Sequence, residues 1–233
     1  MTKNTIIVTG GSKGIGAAIA TELDRRGYHV ICVSRSGEAP VGEGRACDMT
    51  DEAAVRAMFA ETARTSGIIG LVNNAGVHIH GMIASLETAD YERVMRLNAT
   101  AVMIASREAY PHLRGEGTIV NIGSFFDKLG VPDNFAYCAS KAAVGAMTRC
   151  MAVEWARDNI RVLNVAPGYI ATDLNKDFLA SEKTRAWLSK RIPTQRAGGS
   201  DEVARLVGSL FSENIGFLTG ETIYVDGGQG MNH

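Results

Sequence analysis

The chain has 233 residues, 45% of them hydrophobic and 21% charged, which is ordinary for a globular protein and disfavours disorder or a fibrous repeat. Its 24 Lys and Arg residues nearly balance its 25 Asp and Glu residues, so no overall charge attracts nucleic acid or an anionic membrane surface. No apolar run approaches the ~20 residues that span a bilayer, and no signal peptide fits before the first apolar run, so a cytoplasmic protein is expected.

Short β-branched segments alternate with longer amphipathic ones, a pattern typical of a parallel sheet covered by helices on both faces. The predicted strands are Thr5 to Thr9, His29 to Ser34, Arg45 to Cys47, Gly70 to Asn73, Thr118 to Ile122, Arg161 to Val165 and Thr222 to Val225. The predicted helices are Gly14 to Arg26, Asp51 to Thr65 with Thr50 as its candidate cap, Ala89 to Leu113, Ala136 to Asp158 and Ser200 to Phe211. No Pro/Gly/Ser-rich linker interrupts them, so we expect one doubly wound α/β domain over residues 1–233.

One connection between predicted strands is unusually short. Between the second strand and Cys47 lies only the segment Ser36 to Ala46, which is rich in Gly and contains Pro40. This segment is too short for a helix and its connections. The crossover is therefore predicted to be a bare loop.

A glycine-rich turn, Thr9-Gly10-Gly11-Ser12-Lys13-Gly14-Ile15-Gly16, directly follows the first strand and opens into helical periodicity. Glycines allow a tight turn and close approach to a pyrophosphate, and a helix N-terminus presents unpaired N–H groups and a partial positive charge. Such turns also serve merely to reverse a chain, and this spacing departs from the common G-x-G-x-x-G fingerprint. The placement between strand and helix favours a dinucleotide phosphate site.

The end of the second predicted strand indicates which dinucleotide is bound. An acidic residue about 20 residues past the glycines usually binds the ribose 2'-OH of NAD, whereas an Arg accommodates a 2'-phosphate. Here the strand ends Val33-Ser34-Arg35-Ser36, and Lys13 adds a second cation. Unless both cations are only solvated surface charges, they favour NADP(H).

Further motifs extend this pattern, and together they resemble the short-chain dehydrogenase/reductase family over nearly the whole chain. The motifs occur in the family's order: Thr9-Gly10-x-x-x-Gly14-x-Gly16, Asp48, Asn73-Asn74-Ala75-Gly76, Asn98, Ser124, Tyr137-x-x-x-Lys141 and Pro167-Gly168. The chain is most similar in length to the family's shorter, single-domain branch, which includes 3-oxoacyl carrier-protein reductases. The resemblance implies a Rossmann-type doubly wound sheet of seven parallel strands.

The resemblance also implies positions for the cofactor. Asp48 is expected to meet the adenine ring and Asn74 to lie near the cofactor ribose. Ile170 and Thr172 are expected to hold the nicotinamide carboxamide. With the glycine-rich turn, the residues predicted to contact NADP(H) are Gly10, Ser12, Lys13, Gly14, Ile15, Gly16, Ser34, Arg35, Asp48, Met49, Asn74, Ala75, Gly76, Tyr137, Lys141, Pro167, Gly168, Ile170 and Thr172.

Tyr137 and Lys141 are four residues apart in a predicted helix, so their side chains share one face. A phenol with an ordinary pKa of ~10 is a poor base, but a neighbouring ammonium and a positively charged nicotinamide stabilise its phenolate. By resemblance, Tyr137 exchanges the proton with the substrate oxygen, and Ser124 hydrogen-bonds that oxygen. Lys141 also binds the nicotinamide ribose, and Asn98 orders a water in the proton relay.

A Tyr-x-x-x-Lys pair alone usually means a half-buried ring beside a solvated amine. Ser124 favours the catalytic interpretation, because it follows the fifth predicted strand at the end where such sheets bind ligands.

Three less regular segments are expected to determine the substrate: Val77 to Ser85, Phe125 to Phe135, and Leu174 to Gly199, within which we predict a lid. The cations of the last segment fit an anionic or carrier-bound acyl substrate, and equally a solvated helix surface. Phe125 and Phe126 indicate an apolar wall of the substrate pocket instead.

No metal is predicted. His78-x-His80 supplies two imidazoles without a carboxylate or cysteine partner nearby in the sequence, which is an incomplete site. The four cysteines contain no Cys-x-x-Cys pair, so we expect reduced thiols that mostly fill the core.

The sequence therefore predicts an NADP(H)-dependent oxidoreductase that interconverts a ketone and a secondary alcohol. A dehydrogenase that oxidises an alcohol, sugar, steroid or cyclic diol is an alternative, and so is a dinucleotide-binding regulator without activity. The four filled catalytic positions argue against the regulator. An enoyl reductase fits less well, because that branch spaces its tyrosine and lysine further apart. The segment Gly220 to Gly228 is similar to the family's last strand, which commonly lies at a subunit interface, so a homotetramer or homodimer is expected.

Overall fold

Strands and helices alternate along the chain in the computed structural model, which describes residues 2–172, 181–213 and 215–231. The strands described are β1 (Thr2–Thr9), β2 (His29–Ser34), β3 (Glu43–Ala46), β4 (Ser66–Asn73), β5 (Gly117–Ile122), β6 (Ile160–Pro167), β7 (Ile170–Ala171), β8 (Gly198–Gly199) and β9 (Thr222–Val225). The α-helices described are α1 (Gly14–Arg25), α2 (Glu52–Thr65), α3 (Thr88–Met95), α4 (Ala101–Leu113), α5 (Phe135–Trp155), α6 (Glu182–Arg191) and α7 (Ser200–Ser212).

Seven strands form one parallel sheet in the order β3-β2-β1-β4-β5-β6-β9. The chain runs outward from β1 to β3 and then continues on the other side of β1 from β4. Ligands of such sheets bind beyond the carboxyl ends of the strands where the order reverses, here between β1 and β4. Thr9 and Asn73, the last residues of these strands, are register partners at that point. The predicted fold class, a doubly wound parallel seven-stranded sheet, is confirmed.

Both faces of the sheet are covered by helices. Ile7 of β1 packs in one core with Phe59 of α2 and Ile104 of α4. Its neighbours Ile6 and Val8 point to the opposite face and pack in a second core with residues of α1 and α7. All five side chains are at most 1% exposed. Burial on both faces explains why the strands are apolar runs and not alternating sequences.

The connection between β2 and β3 contains no helix, as its length predicts, and β3 begins two residues before the predicted strand. Glycines make this short crossover possible. Gly37 and Gly42 have φ of 72° and 67°, which side chains disfavour. A Cβ on Gly44 would lie 2.0 Å from the carbonyl oxygen of Gly37. The crossover is therefore too closely packed for side chains at these positions.

The predicted cap of α2 is wrong by one residue. Asp51, and not Thr50, is the N-cap, and its carboxylate accepts the N–H of Ala54 over 3.1 Å. The Thr50 hydroxyl instead donates to Asp48 over 2.8 Å, one residue before the cap. A carboxylate at the N-cap also interacts favourably with the helix dipole.

Two predicted helices are not α-helical throughout. The helix predicted over Ala89 to Leu113 contains a π turn at Arg96–Thr100, between α3 and α4. The helix predicted over Ala136 to Asp158 changes to a 3₁₀ turn at Ala156–Asp158, because Asn159 adopts a left-handed φ of 57°. In the part of the chain that the structure describes, no helix is long and apolar enough to cross a membrane.

Candidate active site

Glycines shape the turn that follows β1. Gly10 and Gly14 have φ of 65° and 58°, in the left-handed region. A Cβ on Gly16 would lie 2.2 Å from the carbonyl oxygen of Gly10, so only glycine fits at the start of α1. A Cβ on Gly14 would meet only Thr172 among the described residues, at 3.9 Å. The turn is thus closely packed on one side and open on the other.

The first turn of α1 can receive an anion. Lys13 occupies the N-cap position and forms no side-chain hydrogen bond to the N–H groups of that turn. The turn, which includes Ile15, contains no acidic residue. Unpaired N–H groups and the partial charge of a helix N-terminus bind phosphate. Together with the partly buried Ser12, these residues fit the pyrophosphate of a dinucleotide.

Thr9 and Asn74 hold the glycine-rich turn against the end of β4. The Thr9 hydroxyl accepts hydrogen bonds from the N–H groups of Asn74 and Ala75, at 3.0 and 3.1 Å. The Asn74 amide donates to the carbonyl oxygens of Thr9 and Gly10, both at 3.1 Å. The sequence places Asn74 near a ribose by resemblance, and the structure adds that its amide fixes the turn. Gly76 follows at the exposed start of the next loop.

The predicted adenine edge lies beyond β3. Asp48 accepts hydrogen bonds from the N–H and the hydroxyl of Thr50, at 2.9 and 2.8 Å. These bonds, with a smaller effect of the Arg35 charge, hold the pKa of Asp48 below its ordinary value. Asp48 is therefore a carboxylate that accepts hydrogen bonds. Met49 is 5% exposed and packs in the core, so its side chain offers little surface to a ligand.

Two cations flank the cofactor side of β2. Lys13 and Arg35 are exposed, and neither forms a side-chain hydrogen bond or salt bridge with any residue in the described ranges. The hydroxyls of Ser34 and Ser36 lie 3.2 Å apart beside Arg35. Glu38 of the following loop accepts from the Ser36 hydroxyl over 3.3 Å. An exposed cation at the N-cap of α1 and another at the end of β2 fit the 2'-phosphate of NADP(H).

The chain after β6 returns to the glycine-rich turn. A Cβ on Gly168, which follows Pro167, would lie 2.8 Å from the Cα of Asp226, so a glycine is required there. Ile170 is buried in the short pair formed by β7 and β8. The pair carries the chain to Thr172, beside the glycine-rich turn. These predicted nicotinamide contacts therefore lie on the same side of the sheet as the phosphate site.

Part of the predicted lid over residues 174–199, namely residues 174–180, lies outside the described residues. The rest begins with α6, whose N-cap Ser181 accepts the N–H of Thr184 over 3.2 Å. Leu188 and Ile192 are buried against Tyr169 and attach α6 to the chain after β6. The cationic side chains of α6 are exposed. Closure over a ligand stays a prediction.

Asn98 lies in the π turn and is 1% exposed. Its Oδ1 accepts the N–H of Val77 over 2.8 Å. Its Nδ2 donates to the carbonyl oxygen of Val77 over 2.9 Å and to the hydroxyl of Ser140 over 3.1 Å. π turns are rare and occur frequently at functional sites. This turn brings Asn98 to α5, beside the predicted Tyr and Lys.

Ser124, Tyr137 and Lys141 meet at the carboxyl end of β5. The Ser124 hydroxyl accepts the N–H of Phe126 over 3.3 Å, and it lies close enough to the Tyr137 phenol to lower the pKa of that phenol. The Lys141 Nζ lies 5.6 Å from the centre of the Tyr137 ring and donates to the carbonyl oxygen of Ile122 over 2.7 Å. The fold thus brings together residues that lie far apart in the sequence.

Burial shifts both ionisable groups toward their neutral forms. It raises the pKa of the Tyr137 phenol, an effect that the nearby Ser124 hydroxyl partly offsets. It lowers the pKa of Lys141 to about 8. From the sequence, a neighbouring ammonium and a positively charged nicotinamide are expected to stabilise the phenolate, whereas in the chain alone burial has the largest effect and raises the pKa of Tyr137. Activation of the phenol depends on further positive charge.

The predicted apolar wall is wrong in its position. Phe125 and Phe126 are only 4% and 7% exposed, so they offer little surface to a substrate. They are buried because they pack edge-on against Tyr169, with ring centres 5.4 and 6.4 Å away. Phe126 also packs edge-on against Tyr137 at 6.0 Å. Phe126 therefore supports the ring of Tyr137, and neither phenylalanine lines an open pocket.

The segment over residues 77–85 contacts Tyr137, a contact that the sequence does not reveal. The rings of His78 and Tyr137 stack with centres 4.2 Å apart and planes 25° apart. His80 lies beyond His78, with its ring centre also 4.2 Å away. Within the described ranges, no group of three or more His, Cys, Asp or Glu side chains could hold a metal ion. All four cysteines are free, and Cys150 is exposed.

Comparison with known proteins decides the family. A family model described as Enoyl-(Acyl carrier protein) reductase matches residues 10–230. The 3-oxoacyl-[acyl-carrier-protein] reductase MabA of Mycobacterium tuberculosis is 36% identical, over 98% of this chain and 94% of that protein. The chain belongs to the short-chain dehydrogenase/reductase family. The resemblance stated from the sequence motifs is therefore confirmed.

Other members of the short-chain dehydrogenase/reductase family carry different names. Gluconate 5-dehydrogenase of Gluconobacter oxydans is 35% identical, over 95% of this chain and 93% of that protein. The solved structure of a gluconate 5-dehydrogenase from Burkholderia cenocepacia J2315, in complex with NADP and tartrate, is similar with a TM-score of 0.90. It is 31% identical and covers 100% of this chain and 97% of its own. Its cofactor agrees with the NADP(H) predicted here from the sequence.

Proposed function

We propose that this protein is an NADP(H)-dependent oxidoreductase that interconverts a ketone and a secondary alcohol. The meeting of Ser124, Tyr137 and Lys141 carries the proposal: the Ser124 hydroxyl lies beside the Tyr137 phenol, and the Lys141 ammonium lies 5.6 Å from the centre of the Tyr137 ring. This arrangement lies at the carboxyl edge of the sheet, beside the glycine-rich turn. A phenol held by a hydroxyl and backed by an ammonium can exchange a proton with a carbonyl oxygen.

The glycine-rich turn and the open first turn of α1 would hold the pyrophosphate of the cofactor. Arg35 and Lys13 would bind the 2'-phosphate, and Asp48 would lie at the adenine. Ile170 and Thr172 would hold the nicotinamide carboxamide. The bound cofactor supplies or accepts the hydride, and every proton must be moved by the chain.

Each catalytic side chain has a separate task in this proposal. Ser124 and Tyr137 hydrogen-bond the carbonyl oxygen, and Tyr137 donates its proton as the alcohol forms. Lys141 binds the nicotinamide ribose, and its bond to the β5 carbonyl oxygen fixes the ammonium. The side-chain oxygen of Asn98, Oδ1, can accept two hydrogen bonds, and the N–H of Val77 occupies one of these positions. The other can order a water in the proton relay.

The alcohol-oxidising direction is the second candidate, because gluconate 5-dehydrogenase is among the relatives. The regulator is disfavoured, since a protein that only binds a dinucleotide does not need a buried lysine beside a tyrosine. The enoyl reductase described for the family model is disfavoured as well, because Tyr137 and Lys141 are only one helical turn apart.

We propose that the protein assembles as a homotetramer or homodimer. Met103 of α4 and Val153 of α5 are 40% and 79% exposed, and Phe217 before β9 is fully exposed. Apolar side chains on these elements would be covered at subunit interfaces. Light scattering after size exclusion measures the mass directly, and a monomer at micromolar concentration would contradict this assembly.

The activity is tested by following NADPH oxidation with β-ketoacyl thioesters, cyclic ketones and diketones. NADH is tested in parallel, NADP⁺ is tested with sugars and diols, and a 2-enoyl thioester is the control. We expect turnover of at least one ketone with NADPH and none of the enoyl thioester. Tight NADPH binding without turnover of any carbonyl or alcohol would support the regulator instead.

A further inference from the structure

His78 lies directly on the catalytic tyrosine. Its ring is stacked on Tyr137 at a centre distance of 4.2 Å, which covers part of the side chain and leaves the rest exposed. His80 continues the row of rings on the other side. Any substrate whose carbonyl oxygen reaches the Tyr137 phenol therefore passes beside the imidazole of His78. None of the tasks assigned above uses this side chain.

The hydrogen bonds around His78 define which of its nitrogens carries a proton. Asn134 is 7% exposed, and its Nδ2 donates to the carbonyl oxygen of Pro132 over 2.6 Å. The Asn134 Oδ1 therefore faces the Nε2 of His78, with which it forms a short hydrogen bond. Because Oδ1 only accepts, Nε2 is the protonated nitrogen, and Nδ1 of the neutral ring is an acceptor. Within the described ranges, Nδ1 forms no hydrogen bond.

The charge state of His78 excludes an anion site. Burial lowers the pKa of His78 below its ordinary value of 6.5, the His80 and Lys141 charges add to this effect, and the bond to Asn134 opposes it. The ring is therefore neutral near pH 7. A neutral ring with a free acceptor binds a hydroxyl or N–H donor, and does not attract a carboxylate or phosphate.

The position of His78 is fixed from both sides. On one side, both backbone groups of Val77 are held by the Asn98 amide. On the other side, the N–H of Gly81 donates to the carbonyl oxygen of Asp133 over 2.9 Å. Asp133 adjoins the same Asn134 that orients the imidazole. A recognition group held in this way keeps its orientation when a ligand binds.

We propose that the Nδ1 of His78 accepts a hydrogen bond from a hydroxyl on the carbon next to the reacting carbon. The inference rests on the proposed ketone reduction and narrows its substrates to α-hydroxy ketones, or vicinal diols in the reverse direction. The carbonyl oxygen lies at Ser124 and Tyr137, and a ring stacked on Tyr137 is within reach of the adjacent carbon's substituent. His78 is thus a specificity-determining residue.

The test compares ketones that differ by one hydroxyl: 2-hydroxycyclohexanone with cyclohexanone, and 3-hydroxy-2-butanone with butanone, each with NADPH. The wild-type protein is expected to prefer the hydroxy ketones roughly three- to tenfold in kcat/KM, the range of one neutral hydrogen bond. His78→Phe keeps a ring on Tyr137 and removes the acceptor. It should abolish the preference through a higher KM for the hydroxy ketones alone.

His80→Phe is the matched control, since it changes an imidazole that does not contact Tyr137. It should retain the preference for hydroxy ketones, with any change shared by both members of a pair. Equal melting temperature and NADPH affinity exclude misfolding of His78→Phe. Turnover without a hydroxyl preference, or a preference that survives in His78→Phe, overturns this inference and leaves the proposed function intact. No turnover of any ketone overturns both.

Discussion

The side-chain amide of Asn98 pairs with both backbone groups of Val77, accepting from its N–H at 2.8 Å and donating to its carbonyl oxygen at 2.9 Å. The Asn98 amide thus forms with Val77 the pair of hydrogen bonds that the backbone of an adjacent strand would form, just beyond the end of β4. The same amide reaches Ser140 on α5. The π turn therefore connects the loop that carries His78 with the helix that carries Tyr137. Because Asn98 is 1% exposed, water does not compete for these bonds.

Asn98→Asp keeps the shape of the side chain and removes both of its donors. It leaves a carboxyl group buried against the Val77 carbonyl oxygen, so we expect a loss of roughly 1–3 kcal/mol in the free energy of unfolding. We also expect a lower kcat, with NADPH affinity nearly unchanged. Urea unfolding and steady-state kinetics measure both quantities. Ser140→Ala removes only one bond to Asn98 and should have smaller effects. A wild-type kcat in Asn98→Asp would reject the positioning role.

Tyr137→Phe removes the phenol oxygen and keeps the ring that His78 and Phe126 contact. Loss of a positioned proton donor should lower kcat roughly 10²–10⁴-fold. NADPH affinity, measured by fluorescence titration, should stay within about threefold of wild type, since the loss of a neutral hydrogen bond is a small effect. Tyr110→Phe is the control, because it removes only a phenol of α4 that donates to Asp158, shortly before β6. Near-normal turnover in Tyr137→Phe would eliminate it as the proton donor.

Arg35→Ala tests the choice of cofactor. The guanidinium is exposed and forms no salt bridge with a described residue, so its removal leaves no buried charge behind. Loss of a charge-assisted bond to the 2'-phosphate should lower kcat/KM for NADPH roughly ten- to hundredfold. The value for NADH should change much less. Arg64→Ala removes an exposed Arg of α2 and should leave both values unaltered. An equal loss of kcat/KM with both cofactors would show that Arg35 does not bind the 2'-phosphate.

The sheet and most of the helices could be predicted because burial on both faces gives strands a continuous apolar sequence. Val30, Ile31, Cys32 and Val33 of β2 are all fully buried, which explains the clear signal at that strand. The bare crossover to β3 was predictable from its length alone. The π turn was not, because Arg96–Thr100 has the same composition as an α-helix and differs only in its hydrogen bonds.

The meeting of Asn98, Ser124, Tyr137 and Lys141 in one site could be predicted because local motifs identify these residues. Their neighbours could not. Phe125 and Phe126 suggest a pocket wall, but packing against Tyr169 decides which ring surfaces remain open. His78 contacts Tyr137 only because the loops over residues 77–85 and 131–135 are joined, and neither loop has a periodic sequence. Contacts between two irregular segments leave no pattern in either one.

The Lys141→Met variant tests whether burial destabilises the charged form of Lys141. The pKa of Lys141 is lowered from 10.5 to about 8, so the folded chain binds fewer protons than the unfolded chain between these values. Its free energy of unfolding therefore rises with pH over that interval, and below pH 8 the full penalty is present, roughly 3 kcal/mol. Methionine carries no charge, so the variant lacks this contribution.

The stability of wild type minus that of Lys141→Met should increase from pH 8 to pH 10, as measured by urea unfolding without cofactor. The variant also loses the bond to the Ile122 carbonyl oxygen, but that loss has little dependence on pH. The slope of the difference therefore isolates the buried ammonium from the lost hydrogen bond. Lys183→Met on the exposed face of α6 should reproduce the wild-type pH dependence. Parallel curves for wild type and Lys141→Met would mean that burial does not disfavour the charged lysine, and that the ammonium is available to the tyrosine without cost.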